Sequence, residues 1–201
     1  MKFNINSPMF RFLENLVDFT GLNLLFLITC IPIITIGPAL SALFTITLRE
    51  SREEHGTFVK PYLKAFKNNF KSSAIVFLIY FAAGAVLLFS IGFWMEMPSA
   101  FGNMMLLVLV FCAVIWLTSF FYVFALNARF ENKIRCTIKN ALLLALANPK
   151  CSVGLLLILA ATCIFAYLVP VLRIFMVLFG FAFIAYCDSF LLTKVFREFE
   201  D

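Results

Sequence analysis

Long apolar runs alternate with short basic stretches along this chain, and their lengths set its organisation. Runs at 21–48, 73–95, 104–128, 153–169 and 174–193 approach or exceed the roughly 20 residues that a helix needs to cross a bilayer. They predict an all-α membrane protein, a bundle of about five transmembrane helices in a single membrane domain over 1–201. Three further segments carry helical periodicity with mixed polarity. In 8–19, Met9, Leu13, Leu16 and Val17 share one face, with Arg11, Glu14 and Asp18 off it. This reads as a short interfacial helix or as an extension of the first span. In 58–71, Val59, Leu63, Phe66 and Phe70 form one stripe, and Lys60, Lys64, Lys67 and Lys71 form a second about 100° around the helix. Such a helix lies in the headgroup layer with its lysine tails snorkelling toward phosphate. In 133–147, Ile134, Ile138, Leu142 and Ala145 recur in the same way beside Arg135 and Lys139, predicting another interfacial helix.

The first run is the irregular one. It contains Cys30-Ile-Pro-Ile-Ile-Thr-Ile-Gly-Pro-Ala-Leu-Ser-Ala42. Proline inside a helix removes a hydrogen bond and clashes with the preceding turn, so a break is expected between Pro32 and Pro38. Gly37 adds backbone freedom there, and the Thr35 hydroxyl can satisfy a freed backbone group. In lipid a broken backbone persists only where protein or a watery cavity covers it, so this stretch should face the other helices. A cleaved signal peptide ending near Ala39-Leu40-Ser41 is rejected, because the leading segment is long and acidic as well as basic.

Charge then orients the bundle. Lysine and arginine number two before the first span, then six, none, five, one and two in successive connections and the tail. The positive-inside rule places 49–72 and 129–151 in the cytoplasm of a multi-pass cell-membrane protein. Five spans would leave the N-terminus outside; a re-entrant first run would keep it inside with four crossings. Asn69–Ser73 and Asn148–Ser152 resemble each other 79 residues apart, a hint of a parallel internal repeat.

Composition agrees with membrane insertion: 63% of residues are hydrophobic, 13% are charged, and mean hydropathy is +1.01. A net charge of +5 spread over loops beside apolar runs points to anionic lipid headgroups as a partner and not to nucleic acid. The six cysteines have no CxxC or metal-ligand spacing and read as small hydrophobes, so no metal or cofactor is expected. His55 sits in a polar loop tip, and no nucleophile elbow, phosphate loop or paired intramembrane carboxylates occur. An enzyme is not expected. The one acid well inside an apolar run is Asp188, which needs a partner at that depth. The basic helix around Arg135 and Lys139 is the nearest candidate, for a structural tether or, less favoured, an ion relay.

The run Leu25–Leu43, with its Pro-x-x-Thr-x-Gly-Pro-Ala segment, together with Phe66–Lys71 and Ile138–Leu142, resembles the YesL family of bacterial membrane proteins. The resemblance implies an accessory role in carbohydrate import, because members are encoded beside oligosaccharide uptake systems. It implies no catalytic or binding residues. Three functions therefore stand as expectations. The first is a non-enzymatic component of another assembly such as a sugar importer. The second is a small carrier with a polar cavity bounded by Thr29, Thr35 and Asp188. The third is an anionic-lipid-binding organiser.

Overall fold

In the computed structural model the described residues are 8–52, 54, 56–97, 99–130 and 132–197, of which 8–16, 170 and 172 are described in backbone only. His55 and most side chains of the 8–19 stripe lie outside that description. The described chain is helical: α1 (Pro8–Thr29), a 3-10 turn (Ile33–Thr35), α2 (Ile36–Glu50), α3 (Val59–Met95), α4 (Ala100–Arg129), α5 (Ile134–Ala147), α6 (Pro149–Leu168), α7 (Pro170–Phe175), a π turn (Met176–Gly180) and α8 (Phe181–Arg197). Five helical segments, beginning at Ile33, Val59, Ala100, Pro149 and Arg173, are long and apolar enough to cross a membrane. The architecture is that of a multi-pass membrane protein.

The first apolar run differs from a single bent span. Thr47 meets Ser189 at 2.7 Å and Ser51 meets Thr193 at 2.8 Å, so α2 and α8 run parallel. Phe19 packs on Tyr186, and the Asn23 side chain bonds Ala182, so α1 runs antiparallel to α8 and hence to α2. Residues 8–50 are thus a helical hairpin whose two ends lie at the same end of the bundle. The turn occupies Cys30–Thr35, with Pro32 exposed in it. Pro38 lies outside the turn, buried in the first turn of α2, where its missing N–H has no intrahelical partner to lose.

The basic segment 58–71 is not a separate interfacial helix. It continues into the second span as one helix of 37 residues, about 55 Å long against a hydrocarbon core of roughly 30 Å. Pro61 falls in its first turn, and neither glycine nor proline interrupts it again until Gly84. The 133–147 segment is separate, because Pro149 forces Asn148 out of helical geometry and starts α6. That difference also removes the parallel between Asn69–Ser73 and Asn148–Ser152. In α5 the buried residues are Thr137, Ala141, Leu144 and Ala145, whereas Leu142, expected on the apolar face, is 39% exposed.

α3 and α4 are antiparallel, tied through Trp94–Phe101, Gly84–Trp116, Tyr80–Ser119 and Ser73–Asn127. Phe130 stacks edge-on against Phe196, and Arg129 lies 5.5 Å from the Phe196 ring. These pairs bring the end of α2, the start of α3, the end of α4, α5, the start of α6 and the end of α8 to one end of the bundle. That end collects the basic residues. The opposite end holds Glu96 and Arg173, the latter spending its Nε on the Ala166 carbonyl. α2 is the central element: 56% of its most apolar window is buried, against 11% for α4 and α6.

Candidate functional site

Polar groups of the interior gather at the hairpin turn, where α1 meets the π turn, across the α3–α4 contact, and at the junction of α2, α4, α6 and α8. At the turn, each hydroxyl is used. Thr35 Oγ1 donates to the Thr29 carbonyl at 2.6 Å and also reaches the Pro32 carbonyl at 2.6 Å. Thr29 bonds the Leu25 and Phe26 carbonyls and meets the fully buried Tyr62 hydroxyl at 2.6 Å. This is the expected role of a threonine at a helix break: it absorbs backbone acceptors that lipid would leave bare. Gly37 is required for a steric reason. A Cβ there would fall onto the Ser73 carbonyl and lie 2.6 Å from Phe77 Cβ, so α2 and α3 touch backbone to backbone. Ala39 and Ala42, both fully buried, lie on the other side of α2, about 140–160° around it from Gly37.

The hairpin is held to the last span by a residue the sequence reading passed over. Asn23 is fully buried, and its Nδ2 donates to the Val177 carbonyl at 2.6 Å and more weakly to Met176 at 3.4 Å. Its Oδ1 accepts from the Ala182 N–H at 3.0 Å. A π turn disrupts the regular i to i−4 ladder, and one asparagine amide supplies both a donor and an acceptor to the disturbed backbone. The signal was available, since a lone amide in Gly21-Leu-Asn-Leu-Leu25 is costly in lipid unless it has partners. Asn127 was missed for the same reason; it bonds Ser73 and Ser72 across the α3–α4 contact.

Asp188 does not join this system. It is 2% exposed, and its Oδ1 has no hydrogen-bond partner among the described residues. The expected partners Arg135 and Lys139 are both exposed on α5 and make no ion pair with it among the described residues. α8 carries the carboxyl into the bundle interior, while α5 lies against the end of α4 with its basic side chains outward. No hydrogen bond joins Asp188 to Thr29 or Thr35 among the described residues. The Tyr122 hydroxyl, also fully buried, turns toward Cys151 and Ser152 of α6 without reaching hydrogen-bond geometry. Cys151 is within electrostatic reach of Asp188. Three helices therefore converge on an underbonded polar spot.

On α3, Lys60, Lys64, Lys67 and Lys71 are all exposed, and Val59, Leu63 and Phe70 beside them are 40–47% exposed. Phe66, expected on the same stripe, is half-buried and stacks on Tyr62 instead. No group of three or more His, Cys, Asp or Glu among the described residues could hold a metal.

Residues 19–91 match the model of a family described as a protein of unknown function, DUF624. The match covers the apolar part of α1, the hairpin turn, α2 and most of α3. No curated protein and no solved structure matches the chain.

Proposed function

We propose that this chain is a non-enzymatic membrane component that acts by associating with another membrane assembly. One observation carries the reading: Asn23, Thr29, Thr35, Thr45 and Thr47 of the hairpin are consumed in tying helices and backbone together, and of the hairpin's hydroxyls only that of the buried Ser41 lacks a partner among the described residues. A carrier would need such groups to converge on a solute. The outward faces of α4 and α6 remain apolar and open, with Phe111 62% and Leu157 63% exposed, which suits them to packing in lipid against a second protein. The proline motif that resembles the YesL family lies inside the matched stretch 19–91, which favours a carbohydrate-uptake system as that assembly. On this reading the basic end is cytoplasmic and lies in the plasma membrane, with the α3 lysine row against anionic headgroups.

The test is photo-crosslinking from Phe111 and Leu157 in native membranes. The expected product is a covalent adduct with an importer membrane subunit. A chain that stays monomeric and uncrosslinked overturns the proposal, as does sugar uptake by the purified chain alone in liposomes.

A further inference from the structure

The seam between α6 and α8 carries two cavities of different character on one continuous face. α8 contributes Phe183, Cys187, Leu191 and Lys194, which recur at spacings of three and four, so they share one face, and the π turn adds Gly180. α6 answers with Cys151, Gly154, Ile158, Ala161 and Phe165 at the same kind of spacing. At the basic end the seam opens into a cavity of about 450 Å³ with Asn148, Lys150 and Lys194 at its wall. Both lysines are exposed, and no carboxylate lines the cavity among the described residues. Asp188 acts on Cys151 from the interior side and opposes an anion there, so the lysine pair must outweigh it.

About 12 Å deeper along α6, at Ile158, the second cavity begins. It is an apolar groove of about 560 Å³ walled by Ala161, Phe165, Phe179 and Phe183, within the range of ligand-sized pockets. Between the two, the helices close at Gly154, where a Cβ would stand 2.9 Å from Leu191 Cδ1. Glycine leaves that waist flush on the α6 side.

We propose that this seam is a binding site for one anionic phospholipid, its phosphate between Lys150 and Lys194 and one acyl chain in the groove. The match is of charge and of depth. The cationic cavity sits where a headgroup lies, and the apolar groove begins within the roughly 15 Å thickness of one leaflet's hydrocarbon. Lysine near the membrane surface favours anionic lipid by roughly fivefold each, so two lysines give about 10–30-fold selectivity. The exposed row on α3 makes looser contacts that salt screens.

Native mass spectrometry of the full chain in detergent, with equal amounts of phosphatidylglycerol and phosphatidylcholine bearing the same acyl chains, reads this directly. One retained phosphatidylglycerol is expected at high salt, preferred by about 10–30-fold. Lys150→Gln with Lys194→Gln should bring that preference to near parity, while Lys60→Gln with Lys64→Gln leaves it intact. Ala161→Phe, filling the groove in a chain verified as folded, should reduce retention of both lipids; inorganic phosphate in excess should displace neither. A preference that survives the Lys150 and Lys194 changes overturns the site, as does its loss on the α3 changes. Retention indifferent to Ala161→Phe, or displacement by inorganic phosphate, likewise overturns it. Should Ala161→Phe fail to fold, Ile158→Trp takes its place, with the same two outcomes read in the same way.

Discussion

The α1–α2 hairpin and the α6–α8 pair are built from similarly apolar sequence, yet they pack in opposite ways. In the hairpin, Gly37 brings the α2 backbone onto that of α3, and Asn23, Thr29, Thr35 and Thr47 all have partners. Between α6 and α8, phenylalanines splay around a groove, and the Asp188 carboxyl faces the interior with an unbonded oxygen. The lesson concerns what holds helices together in lipid. Hydrophobicity does not drive helix onto helix there, so close steric fit and spent hydrogen bonds decide which pairs are tight. The hairpin has both. The α6–α8 seam is the adaptable part.

The sharpest way to break this contrast is to loosen the tight side. Gly37→Leu forces a side chain onto the Ser73 carbonyl and should cost about 2–3 kcal/mol, the upper part of the overpacking range, read as a lowered midpoint in an SDS unfolding titration. Asn23→Leu strands two carbonyls and an N–H at the π turn. A loss of about 2 kcal/mol is expected, with faster hydrogen exchange at Ala182 than elsewhere in α8.

On the loose side the sign reverses. Asp188→Asn replaces a buried, incompletely bonded carboxyl with a neutral side chain of the same shape and should stabilise the fold by about 1 kcal/mol, seen as a higher thermal midpoint in detergent. A destabilisation of that size would instead reveal a tether through the other carboxyl oxygen. Smaller effects sharpen the comparison. Thr47→Val removes one interhelical hydroxyl bond and should cost about 0.6 kcal/mol, the average for such bonds in membranes. Gly92→Ala meets nothing within 4 Å and should gain about 0.5 kcal/mol or less from helix propensity, measurable only against the wild type in one titration series.

Much of this architecture was legible beforehand. Run length and hydrophobicity set the spans after the first, because a bilayer demands about 20 apolar residues whatever the fold. The break near Pro32 was legible because proline acts locally through its missing N–H and fixed φ. The same locality misled at Pro38 and at 58–71. Whether a proline breaks a helix depends on its distance from the helix start, and periodicity cannot show where one helix ends and the next begins.

Asn23, Asn127 and Tyr62 were visible as polar residues in or near apolar stretches, but their partners lie 33 to 159 residues away, on other elements. No local pattern encodes such pairings. Asp188 shows the converse: its depth was readable, and its expected partner on α5 was wrong because helix rotation, not sequence distance, points Arg135 and Lys139 outward. Local chemistry and hydrophobic length were therefore enough to specify a helical membrane protein with a broken first run and one basic end. The direction of the hairpin, the asparagine lock on the π turn and the lysine-topped groove between α6 and α8 came only from the three-dimensional arrangement. These depend on which faces of distant helices meet, a choice made by steric fit and hydrogen-bond satisfaction over the whole bundle.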